Sequence, residues 1–428
     1  MIRILIVGSG AREHALAWAC HRSILPEKIL VAPGNAGTAA IAENVAVTAD
    51  DVDALVRLAG EREVDLVVIG PDAAVAAGLA NACAEAAISC FGPTSQAGQV
   101  EASKRYAKQL MDEAAIPTPA WVSGGADDRE SLLRFVAELS GRCVVKADGL
   151  ALGKGVAVCD TEAQALAAID ACLIERRFGD AGDTVVIEER AEGREVSIFA
   201  LSDGDNMRLL PAVCDYKRIG EGDTGPNTGG MGSFAPAAGL GVDVDDLVDE
   251  VGRSVMQPCI DLLRERGTPY VGVLYAGLMV DRSGYRVLEF NARFGDPEAQ
   301  VLLPLLAEDA VELMGACAVG GLPPGRAAVH RGAAVGVVAA SAGYPGAITT
   351  GVAIEGLEDA QGRHVHVFHA GTRMGDDGVI RTSGGRVLTV VAAGRDLRHA
   401  RERAYEHLDR ISFEGMQTRG DIALLEER

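Results

Sequence analysis

Four short stretches in the first hundred residues leave few folds open. Ile2–Val7 is an unbroken apolar run that stops at Gly8. Lys28–Ala32, Val64–Ile69 and Ile88–Phe91 repeat the pattern and stop at Pro33-Gly34, Gly70-Pro71 and Gly92-Pro93. Helical stretches lie between them, Ala11–Cys20 the clearest. A strand that is apolar at every position keeps no face for water, so it belongs in a parallel sheet covered by helices on both sides. Such sheets bind ligands beyond the carboxyl ends of their strands, where the glycine-containing loops stand here.

The texture then changes. Ser95–Ala115 reads as an amphipathic helix, and Ile116-Pro117-Thr118-Pro119 breaks it as a hinge or boundary. Short β runs follow at Cys143–Ala147, Val156–Cys159, Val185–Glu189, Val196–Leu201 and Leu209–Val213, around an Ala-rich helix over Glu162–Leu173. Tyr270–Val280 and Tyr285–Phe290 read as a hairpin with the four-residue loop Asp281-Arg282-Ser283-Gly284. After Leu322-Pro323-Pro324-Gly325 a short αβ tail begins. The expected fold is α/β and α+β in several domains: a parallel-sheet unit over 1–103, an antiparallel unit over 104–326, and a small αβ unit over 327–428. A length of 428 residues suits that number at roughly 150 residues per domain.

Composition removes whole classes of function. A formal net charge of −21 and the absence of any Lys/Arg run argue against nucleic acid and membrane surfaces as partners. Anionic substrates must then be held by local cations and backbone N–H groups. The nine cysteines never come closer than seven positions apart, which fits reduced core thiols in a cytoplasmic protein rather than zinc ligands or disulfides. The opening apolar run is too short for a signal peptide. The 23 uncharged residues Gly332–Ile354 carry five glycines and Pro345, and so read as strand–loop–strand rather than a membrane span.

Several segments carry chemistry. Gly8-Ser9-Gly10-Ala11-Arg12-Glu13-His14 puts backbone N–H groups and a helix N-terminus after a strand, where a phosphate can sit. A dinucleotide fingerprint would need glycine at Glu13, so a phosphorylated small molecule or simply a tight turn fits better. In Lys146-Ala-Asp-Gly149 followed by Gly153-Lys154-Gly155, a lysine closes a buried β run, and such a lysine needs an anion nearby. The loop suits a lid over a triphosphate, against the plainer possibility of a solvated surface hairpin. Val185–Glu189 ends in two acids, with Glu195 six residues on. In Leu288–Glu298, strand alternation places Glu289, Asn291 and Arg293 on one face, opposite Leu288 and Phe290. A carboxylate beside an amide oxygen is a hard-ligand set suited to Mg²⁺. Arg293 can fork onto a carboxylate or phosphate. Asp215-Tyr-Lys217-Arg and Asp223–Gly232, which includes Asn227, form a long Gly-rich loop of mixed charge, fit for a zwitterion. His364, His366 and His369 read as an ordinary strand rather than a metal cluster, since no acid or thiol lies close in sequence.

Together these segments resemble the ATP-grasp ligases and, within them, the phosphoribosylamine–glycine ligases. The likeness runs from residue 1 to about 425, and is sharpest at Arg293-Phe-Gly-Asp-Pro-Glu298, Asp223–Gly232, Lys146–Gly149 with Gly153–Gly155, Pro33–Thr38 and Phe368–Thr372. The resemblance implies a parallel-sheet domain before an ATP-grasp domain with a mobile lid at about 120–190. It implies that ATP activates glycine as an acyl phosphate, which the amine of 5-phosphoribosylamine attacks. By the same resemblance Lys104, Lys146 and Lys154 meet the phosphates, while Glu188, Glu189, Ala191 and Glu195 line the nucleoside pocket. Glu289 and Asn291 hold Mg²⁺ or Mn²⁺, and Lys146, Lys154 and Arg293 are the catalytic set. Asp215, Lys217, Asn227 and Arg293 take glycine or its surroundings. Gly8, Gly10, Arg12, Gly34, Asn35, Gly70, Pro71 and Asp72 take the phosphoribosylamine. The resemblance fits a monomer or weak homodimer. Ala11, Asp72 and Arg190-Ala191 depart from the family pattern, and Gly277–Val280 lacks the carboxylate that many relatives in the superfamily carry. A carboxyphosphate-using relative is the nearest competitor, and the Asp223–Gly232 loop speaks against it.

Overall fold

The computed structural model describes residues 1–151 and 155–424. The opening apolar runs form β1 (Ile2–Gly8), β2 (Pro26–Pro33), β3 (Glu43–Asn44), β4 (Leu66–Ile69) and β5 (Ser89–Phe91). They pair in parallel in the order β3-β2-β1-β4-β5. Ile4, Leu5, Ile6 and Val7 are wholly buried, because helices cover both faces. The order reverses between β1 and β4, so the turns at Gly8 and Gly70 stand side by side at the carboxyl edge.

The single helix expected over Ser95–Ala115 is two helices, Gln99–Ala102 and Lys104–Glu113. Ser103 between them is extended, and its Oγ accepts the Tyr106 N–H at 3.0 Å as an N-cap. β6 (Trp121–Gly124), β7 (Cys143–Ala147), β8 (Val156–Cys159) and β9 (Val185–Glu189) then build an antiparallel sheet, β6-β9-β7-β8. It keeps a small core of its own, with Leu132, Val145, Ile169 and Ile187 at its centre.

Further along come β10 (Arg194–Asp203), β11 (Met207–Leu209), β12 (Cys214–Asp215), β13 (Arg218–Gly220), β14 (Thr224–Asn227) and β15 (Gly232–Ala235). The expected strand Leu209–Val213 thus ends early, and beyond Leu209 only Val213 bridges to Ser197. The Gly-rich loop is more ordered than its composition suggests, since β13 and β14 pair as a ribbon. β16 (Val271–Asp281) and β17 (Gly284–Asn291) form the expected hairpin, but Asp281 pairs with Gly284, so the loop is two residues, not four. The remaining strands are β18 (Gly325–Arg326), β19 (Ala333–Ala340), β20 (Val365–His369), β21 (Thr372–Met374), β22 (Ile380–Thr382) and β23 (Arg386–Gly394), and the helix Leu397–Leu408 follows them.

Two more sheets position the site. One runs β17-β16-β10-β11-β18 and the other β12-β15-β19-β23-β20. The second takes β12 and β15 from mid-chain, so the C-terminal segment is hydrogen-bonded to the Gly-rich region through Gly232–Ala235 and Ala334–Val337. The uncharged stretch from Gly332 is the buried strand β19 followed by loop. No helix among the described residues is long and apolar enough to cross a membrane.

Candidate active site

A cavity of about 800 Å³ opens where these sheets meet, in the range that takes ligands of ~300–1,000 Å³. β7, β8 and β9 form one wall, and β16 and β17 another. Arg12 and Asp72 reach it from the first sheet, and Arg386 from β23.

Cations converge on one carboxylate. Burial pushes Glu289 up, but Lys217, Lys146, Lys104 and Arg293 outweigh it and hold the carboxyl below its ordinary range. The register explains how the site packs so densely. Gly277 faces Glu289 and Leu278 faces Val287, so Leu288 is the extra residue of a β-bulge. Leu288 therefore lines the cavity beside Glu289, against the expectation from strict alternation. Its carbonyl accepts from Lys146 Nζ at 3.2 Å.

Glu188 is not a free nucleoside ligand. It is buried between two lysines, Lys146 Nζ at 2.7 Å and Lys108 Nζ at 3.2 Å. Lys108 also donates to Thr118 Oγ1 at 2.5 Å. Burial lowers Lys108 to about 8, with Glu188 pulling the other way. Lys104 lies across the cavity and donates to the Gly149 carbonyl at 3.4 Å, and burial lowers it as well. Glu189, Ala191 and Glu195 all line the cavity. Lys154 and Gly153 lie outside the described residues.

The other end of the cavity carries both signs of charge. Lys217 Nζ meets Glu195 at 2.5 Å. Burial opposes the Lys217 charge, but Glu195 and Asp215 hold the ammonium well above its ordinary value. Asp215 Oδ1 is buried with no hydrogen-bond partner among the described residues, and burial lifts this carboxyl to about 7. Nearby, Tyr275 donates to Glu298 Oε1 at 2.9 Å. Arg293 Nη2 pairs with Glu101 at 2.7 Å and donates to Asn291 Oδ1 at 3.2 Å, while its Nε is buried without a partner. Asn227 lines the same cavity.

The residues expected to hold a phosphorylated sugar divide. Arg12 and Asp72 face the cavity, whereas Gly8, Gly10, Gly34, Asn35, Gly70 and Pro71 are absent from its walls. The Glu13 carboxylate enters the turn instead, taking the Gly10 N–H at 2.5 Å and Arg12 Nε at 2.6 Å. It takes the N–H of Gly10, the N-cap of that helix and one of the groups the sequence offers to a phosphate. Asn35 is a buried clip: its amide donates to the Ser9 and His369 carbonyls at 2.9 and 2.7 Å.

Sequence reasoning passed over Glu101, Lys108, Arg386 and the cavity face of Leu288. For Lys108 a signal existed, because Lys104 and Lys108 stand four apart on one helix face. Arg386 binds the Gly229 and Asp296 carbonyls at 2.5 and 2.6 Å. Its place, like that of Glu101, depends on contacts distant in sequence that no local pattern announces.

Three family models match the chain in succession. They describe the N domain of phosphoribosylglycinamide synthetase over residues 2–101, its ATP-grasp (A) domain over 102–299 and its C domain over 334–425. A phosphoribosylamine–glycine ligase of Nostoc sp. is 44% identical over 427 residues, covering 98% of this chain and 99% of that protein. The trifunctional purine biosynthetic protein adenosine-3 of Homo sapiens is 44% identical over 423 residues; 98% of this chain is matched, but the chain spans only 41% of that protein's length. The crystal structure of a phosphoribosylamine–glycine ligase from Thermotoga maritima superposes with a TM-score of 0.85 at 32% identity, covering 98% of this chain and all of that one.

Proposed function

The chain belongs to the phosphoribosylglycinamide synthetase family, and from that premise we propose that it uses ATP to join glycine to 5-phosphoribosylamine, giving glycinamide ribonucleotide, ADP and phosphate. This is the second step of purine biosynthesis. The observation that carries the reading is the pairing of two features on one cavity. Four cations, Arg293 among them, act on Glu289, and on the same cavity Asp215 Oδ1 and Arg293 Nε are buried polar atoms without partners among the described residues, suited to a ligand with both a positive and a negative end.

Each group has work in such a reaction. Lys104 and Lys146 neutralise the phosphate tail, and Glu188 with Lys108 behind it fixes where Lys146 points. Glu189, Ala191 and Leu288 bound the nucleoside end. Asp215 meets the glycine ammonium and Arg293 its carboxylate. A glycine carboxylate oxygen attacks the terminal phosphorus and ADP leaves. The amine nitrogen then attacks the acyl carbon, phosphate departs with the former carboxylate oxygen, and the nitrogen loses a proton. No side-chain nucleophile is needed, because phosphoryl transfer depends on positioning and charge neutralisation.

The residues present fit a magnesium ion shared with phosphates. Glu289 and Asn291 offer two hard oxygens, and no cluster of three acids, histidines or thiols exists among the described residues to form a closed cage. When bound, the ion would neutralise charge on the transferred phosphoryl group. Nine free thiols, eight of them buried, suit a reducing compartment, and we place the reaction in the cytoplasm, carried out by a monomer or weak homodimer.

ADP release tests the whole reading. It should require glycine and phosphoribosylamine together and fall to background when either is omitted. Release that ignores glycine, or that proceeds with bicarbonate in its place, would overturn it.

A further inference from the structure

The residue that aims Arg293 stands outside every motif that pointed to the site. Glu101 lies in the one-turn helix Gln99–Ala102, 191 positions before Ala292. Its two oxygens have separate partners: Oε1 meets Arg293 Nη2 at 2.7 Å, and Oε2 accepts the Ala292 N–H at 2.8 Å. One side chain thereby fixes both the guanidinium and the backbone that carries it. Only 8% of the Glu101 side chain is exposed, and a buried carboxylate persists where partners of this quality hold it.

The donors of Arg293 can be counted. A guanidinium has five N–H groups in a fixed fork. Nη2 serves Glu101 and Asn291 Oδ1, and Nη1 donates to the Phe294 carbonyl at 3.3 Å. That carbonyl also takes Arg12 Nη1 at 3.0 Å. The fork is thus anchored through Nη2 and one N–H of Nη1; the second Nη1 N–H remains, and Nε is buried and wholly unpartnered among the described residues. Without Glu101, two other acids whose fields reach the guanidinium, Asp72 and Glu298, would compete for it.

We propose that Glu101 is a positioning residue: by holding the Nη2 end of Arg293 it keeps the Nε edge available to the glycine carboxylate. This role rests on the ligase reading above. It predicts a defect mainly in glycine use, since the ion pair and hydrogen bond of Glu101 go to Arg293 and the Ala292 N–H and to no group assigned to ATP. A charge-assisted bond lost on one side of a buried pair is worth about a tenfold change or more.

The test compares steady-state kinetics of the full-length chain with Glu101→Gln and Glu101→Asp. Glu101→Gln should raise the KM for glycine about tenfold or more while the KM for ATP stays within about twofold. Glu101→Asp, which keeps the charge but can reach only one of the two partners, should recover part of the loss. An unchanged glycine KM in Glu101→Gln beside a lowered melting temperature would make Glu101 merely structural and overturn the proposal. Should Glu101→Gln fail to fold, an unchanged glycine KM in Glu101→Asp overturns it equally. A wild-type chain indifferent to glycine would instead overturn the ligase reading, and the role of Glu101 with it.

Discussion

Asp215 sets a pH dependence that a solvated carboxylate would not. Burial raises it to about 7; Lys217 pulls it down, and Glu298 and Glu195 add to the rise. Below that value the carboxyl is neutral and cannot pair with an ammonium ion. The glycine KM should therefore fall as pH rises from about 6 to about 8, and Asp215→Asn should raise the KM and flatten the profile. A wild-type glycine KM that does not move across that range would remove Asp215 from the glycine site. The same shift acts on stability with the opposite trend. The folded carboxyl keeps its proton to about 7, while the unfolded one loses it near ~3.9, so this group's contribution declines as pH rises through that window. Charge chemistry of this kind was partly legible in the sequence. Lys146, Glu289 and Arg293 stand at strand ends in short-range company, where their chemistry can be read from neighbours. Glu188 could not be read so: two acids at the end of β9 look alike, and only the fold shows that one is buried against Lys108 and Lys146.

At the scale of elements, the sequence pattern located strands better than it described their irregularities. β7, β8, β9 and the helix Glu162–Leu173 lie where the apolar runs placed them. The bulge at Leu288 was invisible, because alternation assumes that no residue is added to one strand alone. The break at Ser103 was hidden for a related reason: an amphipathic stripe continues through a cap. The turn after β4 holds a sharper lesson. A Cβ at Gly70 would fall against the Glu13 side chain, its Cγ only 2.6 Å away. Glu13 is 1% exposed and already committed to Gly10 N–H and Arg12, so it has nowhere to go. Gly70→Ala should lower unfolding free energy by roughly 1–3 kcal/mol, as overpacked sites do, and should loosen Arg12 at the cavity rim. Denaturant titration measures the first effect. A variant as stable as the parent would mean that Glu13 can leave the turn freely.

Over the whole molecule, the N- and C-terminal segments meet in a seam of neutral histidines, and this was the least legible feature because its parts lie over three hundred residues apart. The His369 N–H donates to His14 Nδ1 at 2.8 Å, so that nitrogen must be unprotonated. Asn35 ties the His369 carbonyl from the same side, and His369 Nδ1 lies 3.1 Å from Thr372 Oγ1. Trp18 packs on His366 with ring centroids 4.5 Å apart, and Phe368 meets the edge of His14 at 5.5 Å. Burial lowers His14 to about 3, with His369 and His366 adding to the effect. Burial also lowers His366 to about 4, helped by Arg22 and His364, and His369 to about 4. An unfolded histidine titrates near ~6.5, so between that value and about 4 the unfolded chain binds protons that the folded seam refuses. Stability must then fall as pH drops through this window, by about 1.4 kcal/mol per pH unit for each proton. Carboxylates contribute to acid unfolding too, but they are common to parent and variant. His14→Asn should therefore start from a lower stability and show a slope shallower by about one proton over that window, measured as unfolding free energy at a series of pH values. Equal slopes in parent and variant would mean that His14 titrates alike in the folded and unfolded chains, and that the seam does not exclude protons.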